Sequence, residues 1–188
     1  EAMREHDHDV DLQVMGCKAV RKLALESPEA RTNIRRHGGI ELVFKAMIEH
    51  SKCVQLSKST TLQCVGCSAL LNLNIDNSDQ RIAELGGISV LRTVMQDFPR
   101  IVDVQVSCFA LLQNLATHSE NHDQIWNRGI ITLLCSTMEA HRMNSDVQRW
   151  GCAVLLNLAS DDENREKIRQ TGAISVVCDA MRNHLDDE

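Results

Sequence analysis

The sequence predicts an all-α fold, a solenoid of about four copies of a three-helix unit. Three observations predict it. A set of residues recurs at a period of about 43. Apolar positions inside each copy fall at helical spacing, and a glycine stands where each copy needs a helix stop.

The period is set by Gln13, Gln63, Gln105 and Gln148, which stand 50, 42 and 43 residues apart. Ten residues after each comes Leu23, Leu73, Leu115 or Leu158, preceded by Lys22, Asn72, Asn114 or Asn157. The third position after Gln is small (Gly16, Gly66, Cys108, Gly151), and the fourth is Cys17, Cys67, Phe109 or Cys152. Within Gln63 to Leu73 the apolar residues keep the spacing of a helix face, as do Val104, Leu111, Leu112 and Leu115 in the next copy. This stretch is the longest helix of each copy, the third.

The first and second helices come from another repeating block. Ile34, Ile82, Ile125 and Ile168 each lie four residues before Gly38, Gly86, Gly129 or Gly172. Each glycine ends a short first helix. A second helix begins near Ile40, Ile88, Ile131 and Ile174 and runs to Met47, Met95, Met138 and Met181. His50, Phe98, His141 and His184 follow three residues later. Met3 and His6 fit these columns too, so the chain starts and finishes at one phase of the pattern. The copies fall at approximately 1–25 (partial), 26–75, 76–117, 118–160 and 161–188 (partial), in one array over 1–188. The gap of 50 is assigned to extra residues after His50, and Ser51 to Thr61 is read as a long surface loop.

Composition agrees with this class. Among 188 residues 43% are apolar, enough for a continuous core and too many for a disordered tail. Aromatic residues are only 3%, with no Tyr, which argues against base-stacking platforms. A net charge of −6 disfavours a nucleic-acid partner. No run of about 18 apolar residues stands in the sequence, so no direct membrane insertion is expected. The eight Cys residues fall mostly on predicted helices, where a free thiol packs as a small apolar group. That usage fits a reducing compartment, cytoplasmic or nuclear.

These residues resemble the armadillo repeat family. Its unit is about 42 residues in three helices, with a signature of Asn-x-x-x-Ile-x-x-x-Gly-Gly-Ile, then a Leu-rich helix, then Val-Gln-x-x-Ala-x-x-Ala-Leu-x-Asn-Leu-Ala. The chain matches at Asn164 to Ile168, at Gly86-Gly87-Ile88, and at Val147-Gln148 through Asn157-Leu158-Ala159. The resemblance covers nearly the whole chain and implies a right-handed superhelix whose third helices line a concave groove for a protein or peptide segment. An extended peptide exposes an N–H and a C=O at every residue, and a ladder of amides can satisfy both, because Asn donates and accepts. Here the ladder is Asn72, Asn114 and Asn157, with Ser68, Ala110 and Ala153 one turn earlier on the same face. Lys18 and Lys22 make one end of the groove basic, which suits an acidic partner, and Arg149 flanks the other. A second reading stays open, in which each Asn only caps its own helix or the next loop. Nuclear-import adaptors of this family carry Trp where this chain has Ser68, Ala110 and Ala153, so that role is not expected.

Other constellations are weaker. Cys64 and Cys67 form Cys-x-x-Cys, but Cys67 belongs to the repeated small-residue column. His118 and His122 have metal-ligand spacing without the surrounding motif. Recurrent His6, His50, His141 and His184 sit near helix C-termini, where the helix end favours an N–H donor or cation. Asp161-Asp162-Glu163 suits a helix start. No phosphate loop and no catalytic set stands apart from the repeat, so no enzyme, metal or cofactor is expected. Trp126 and Trp150 are either packed between copies or exposed binding hot spots.

Two functions are expected from the sequence. The first is a non-enzymatic protein-interaction scaffold that binds an extended or helical partner segment in its groove. The alternative is a structural or regulatory armadillo segment of a larger multidomain protein whose activity lies elsewhere. The shared phase of start and finish, with no polar capping copy, favours flanking sequence of the same period and allows end-to-end self-association.

Overall fold

The computed structural model describes residues 1–51, 56–74 and 79–185, and every regular element among them is helical. The elements are α1 (Ala2–Glu5), α2 (Val10–Glu26), α3 (Pro28–Arg36), α4 (Gly39–Glu49), α5 (Leu56–Leu73), α6 (Asp79–Glu84) and α7 (Gly87–Asp97). They continue as α8 (Val102–Leu115), a 3-10 turn (Ser119–Asn121), α9 (His122–Asn127), α10 (Ile130–Ala140), α11 (Ser145–Leu158), α12 (Asp162–Gln170) and α13 (Ala173–Asn183). First helices are α3, α6, α9 and α12; second helices are α4, α7, α10 and α13; third helices are α2, α5, α8 and α11.

Local chemistry starts and stops these helices where the sequence pattern places them. Asp9 accepts from the Asp11 and Leu12 amides and opens α2. Ser27 accepts from the Ala30 amide and is followed by Pro28 at the first helical position of α3. Asn144 accepts from the Val147 amide at 3.0 Å and opens α11. Gly38, Gly86, Gly129 and Gly172 have φ of 76°, 87°, 67° and 77°, so each first helix turns into the second through a left-handed residue.

One expectation is corrected. Leu56 to Thr61, read as part of a long loop, belongs to α5, which is 18 residues long. The extra residues lengthen the third helix, and Ser59 at its start donates to the His50 carbonyl at 2.6 Å. Residues 52–55 of that reading lie outside the described residues, as does Cys53.

Packing is serial. Third helices pack in chain order, α2 on α5, α5 on α8 and α8 on α11, and second helices do the same from α4 to α13. Each of α5, α8 and α11 also packs on the second helix before it. Met47, Met95 and Met138 are fully buried in that contact. The small residue of the third helix makes room for them: a Cβ at Gly151 would sit 2.5 Å from Met138 Sδ, and one at Gly66 would sit 2.6 Å from Met47 Sδ. Burying one such Met is worth about 1.5–3 kcal/mol.

The Gln column is the polar part of the same contact. Gln105 Nε2 donates to the carbonyls of Met95 at 3.0 Å and Phe98 at 2.8 Å. Gln13 bonds Met3 and His6, and Gln148 bonds Met138 and His141, in the same way. Gln63 bonds only Met47, at 2.9 Å, and the His50 carbonyl accepts from Ser59. A buried amide thus satisfies carbonyls at a helix end that the helix itself leaves open.

The His column links one copy to the next. His50 Nε2 meets the Asp7 carbonyl at 2.7 Å, His141 meets Pro99 at 2.8 Å and His184 meets Arg142 at 2.9 Å. The expected placement at helix C-termini holds, and each of these three rings also bonds a carbonyl of the copy before.

Candidate functional site

The serial packing of α2, α5, α8 and α11 brings the predicted groove residues into one row. Lys18 and Lys22 lie on α2, Ser68 and Asn72 on α5, Ala110 and Asn114 on α8, and Arg149, Ala153 and Asn157 on α11. Lys18, Lys22 and Arg149 are exposed; the Ser, Ala and Asn residues are half-buried. This gradation follows from the stack, since each third helix is flanked by its neighbours and only long side chains reach past them.

The amides do two jobs. Asn72 Nδ2 donates to the Arg21 carbonyl at 2.9 Å, and Asn157 Nδ2 donates to the Gln113 carbonyl at 2.8 Å. Arg21 and Gln113 directly precede Lys22 and Asn114, so each Asn reaches the matching turn of the third helix before it. The structural role expected of these residues is therefore real, but its partner is the neighbouring copy and not the residue's own helix. One N–H of the amide is used in this way; an amide has two, plus a carbonyl oxygen. Asn114 differs, because its Oδ1 accepts from Asn74 Nδ2. Asn74 is 3% exposed and occurs at this point of only one copy, which is why no column revealed it.

Charge along the row is uneven. Arg149 pairs with Asp146 at 2.7 Å on its own helix. Lys58 pairs with Asp11 at 2.6 Å on the α2 and α5 side. Lys18 and Lys22 have no ion-pair partner among the described residues, so the α2 end is basic. Ser68 Oγ donates back to the Cys64 carbonyl at 2.9 Å, so its hydroxyl hydrogen is directed along its own helix.

The two indoles part company. Trp150 lies on α11, half-buried against the core, with the Arg149 guanidinium 5.5 Å above its ring. Trp126 lies on α9, a first helix, away from the third-helix row. Lys167 of α12 stands 5.9 Å over its ring, and its Nε1 is buried without a hydrogen-bond partner. Both therefore pack between or along copies with part of each ring exposed.

One member of the Cys-x-x-Cys and one of the His pair, Cys67 and His122, are buried. Cys67 is buried, and its hydrogen bond with Cys108, together with burial, pushes the Cys108 thiol up. Burial also pushes the Cys17 thiol up to about 12. Among the described residues no cluster of three or more His, Cys, Asp or Glu could hold a metal ion. His122 is buried with both ring nitrogens engaged. Nε2 faces the Ala116 carbonyl at 3.0 Å, and Nδ1 accepts from Asn164 Nδ2 at 2.8 Å. Asn164 also donates to Asp161 Oδ2 at 2.6 Å. The Asn164 backbone N–H, above all, holds the Asp161 carboxyl below the usual carboxylate range.

His122 exposes a column that the sequence reading missed. Arg31, His122 and Arg165 each stand three residues before the first-helix Ile, and each reaches the C-terminal end of the preceding third helix. Their acceptors are the carbonyls of Ala24, Ala116 and Ala159, at 3.0, 3.0 and 2.8 Å. The residue types differ, so identity alone hid the shared function of donating a hydrogen bond.

Three helices per period, a glycine hinge, a Gln bolt and an Asn row along the third helices describe a repeat of armadillo type. The sequence matches the family described as LRRK2 ARM repeat over residues 1–187. The chain belongs to the LRRK2 ARM repeat family. Neither a curated protein nor a solved structure matches it. Armadillo repeats in general mediate protein–protein interaction. Among the described residues, no helix of this family member is long and apolar enough to cross a membrane.

Proposed function

We propose that the chain is a non-enzymatic interaction scaffold that binds an extended or helical segment of a partner protein along the row formed by α2, α5, α8 and α11. The carrying observation is the spare hydrogen-bonding capacity of Asn72 and Asn157. Each spends one N–H on the neighbouring helix and keeps a second N–H and a carbonyl oxygen for a peptide backbone. In this reading the copies at about 26–75, 76–117 and 118–160, with partial copies at 1–25 and 161–188, coil right-handedly and place the row on the concave side. The unpaired Lys18 and Lys22 favour a partner segment that is acidic at that end. The seven described cysteines are free, which supports an intracellular setting, cytoplasmic or nuclear.

The test compares the wild-type chain with Asn72→Ala/Asn114→Ala/Asn157→Ala in affinity capture, after circular dichroism shows that both fold. Partners captured by the wild type are then titrated against both. A loss of about tenfold or more in affinity is expected, on the order of one or two lost hydrogen bonds. Unchanged affinity for every partner sinks the groove reading and moves the search to Trp126, Trp150 and the Ser51 to Thr61 segment.

A second reading is favoured by one observation. Ile174 and Met181 of α13 are 52% and 65% exposed, although their counterparts in the other second helices are buried. This suits an array that works as a structural or regulatory segment of a larger multidomain protein. It requires flanking sequence that continues the period of about 43 residues. A transcript with its start and stop codons immediately outside this sequence would end that idea.

A further inference from the structure

A recess of about 390 Å³ opens beside the second helix α7, lined by Ser89, Arg92, Thr93, Asn127 and Arg128. Ser89, Arg92 and Thr93 share one face of α7, being three and four residues apart. Asn127 ends α9, and Arg128 is its C-cap, directly before the left-handed Gly129. The packing of α10 on α7 brings the two sets together. Two guanidinium groups thus border one recess, and no carboxylate lines it.

The fold does not require this arrangement. Counted from the hinge glycine, the position of Arg92 holds Phe44, Cys135 and Cys178 in the other copies. That of Arg128 holds His37, Leu85 and Thr171. One copy earlier the matching recess, about 350 Å³, is lined by Phe44 and Leu85 instead. Phe44 is 5% exposed there, whereas Arg92 is exposed. Charge is handled differently as well. Glu41 holds the position of Ser89 and pairs with Arg81 at 3.2 Å. Arg149, Arg165, Arg169 and Arg182 each pair with an acid three residues earlier. Three residues before Arg92 stands Ser89. Among the described residues neither the Arg92 nor the Arg128 guanidinium has an ion-pair or hydrogen-bond partner.

Unpaired like charges at one recess repel each other, and a dianion removes that cost. A phosphate monoester carries about −1.5 to −2 at pH 7. Guanidinium forks match its oxygens. The Ser89 hydroxyl and the Asn127 amide supply further donors, while Thr93 donates its own hydrogen to the Ser89 carbonyl at 3.1 Å. A carboxylate would neutralise only one of the two arginines.

We propose that this recess binds the phosphate monoester of a phosphorylated side chain on a partner protein. Arg92 and Arg128 clamp the phosphoryl oxygens, with Ser89 and Asn127 beside them. An anionic membrane is a poorer match. Its recognition takes clusters of about four to eight Lys or Arg, and this chain carries a net charge of −6. None of these residues belongs to the third-helix row, so the site stands or falls apart from the function proposed there.

The first probe is phenyl phosphate, titrated into the full 188-residue chain while the arginine side-chain N–H resonances are followed by NMR. Saturable shifts of the Arg92 and Arg128 resonances are expected. Phenyl sulfate, of the same shape but a single charge, is expected to bind about fivefold or more weakly. Arg92→Gln and Arg128→Gln are each expected to weaken phenyl phosphate by about tenfold. Arg100→Gln, at an exposed position outside the recess, is expected to change nothing. Ser89→Glu keeps both arginines and restores the acid of the preceding copy. It is expected to weaken phenyl phosphate by about tenfold as well. A degenerate peptide library centred on phosphoserine is then passed over the immobilised chain, beside the same library with serine. Retention of the phosphorylated library alone is expected, and its loss in Arg92→Gln/Arg128→Gln. Equal affinity for phenyl phosphate and phenyl sulfate overturns the proposal, as does a Ser89→Glu chain that binds like wild type. Phenyl phosphate binding with no preference for the phosphorylated library assigns the recess to a free phosphate compound, and the partner is wrong. Stronger retention on phosphatidylserine vesicles than on the phosphorylated library, lost in the double variant, assigns it to a membrane and overturns the proposal too.

Discussion

Gln105 shows what one side chain contributes to this stack. Its amide serves two carbonyls at the end of α7 in a fully buried contact, whereas Gln63 serves one. A buried carbonyl left without its partner costs about 1–3 kcal/mol. Gln105→Leu is therefore expected to destabilise the chain by about 2–4 kcal/mol in urea unfolding, and Gln63→Leu by about half as much. Equal losses, or a larger one at Gln63, would contradict the bonding described. The recurrence of Gln was legible in the sequence because identity repeats. Its task was not, because the acceptors are backbone carbonyls and carry no residue signature. Asn74 was illegible for the opposite reason, since its side chain matters but occurs at one copy only.

At the scale of single helices, α12 opens on a charged N-cap. Its N-cap Asp161 accepts from the Asn164 backbone amide at 2.8 Å and from the Asn164 side-chain amide at 2.6 Å. The folded-state carboxyl is held below its ordinary value of 3.8, chiefly by the Asn164 N–H. A depressed carboxyl contributes stability above the unfolded-state value and loses it as pH falls through the folded-state value. Asp161→Ala is thus expected to be less stable than wild type near neutral pH, with the gap closing only below pH 3.8. A gap that stays unchanged well below pH 3.8 would contradict a role for the carboxylate charge. The start of α12 was readable, because Asp161-Asp162-Glu163 is a local signal. The start of α5 was not. A longer period reports extra residues, but not whether a loop or a helix stores them.

Across the whole molecule, stability is a sum over neighbours, because each copy touches only the copies beside it. The central copies bury their Met and Ile columns on both sides, while α13 leaves Met181 and Ile174 in water. Each such exposure forgoes about 1.5–3 kcal/mol. Amide hydrogens of α13 are expected to exchange about tenfold or more faster than those of α7 and α10, as read by mass spectrometry under native conditions. Uniform protection along the array would mean that it unfolds as one cooperative block. The stack and its row of Asn residues were legible from columns of the sequence. The open face was not, since burial depends on what lies opposite.

The Gln bolt and the Met notch recur with the same spacing, and this makes the chain's length quantised. Deleting Gln105 through Val147, 43 residues, would join Val104 to Gln148 and restore a Val-Gln pair like the one lost. The new third helix would present Gln148 to Met95 and Phe98 and Gly151 to the Met95 thioether, the same set of contacts as before. Removing three residues from α8 would instead pull its Gln nearly a full turn away from both carbonyls. For this protein, a large cut in register is gentler than a small one out of it.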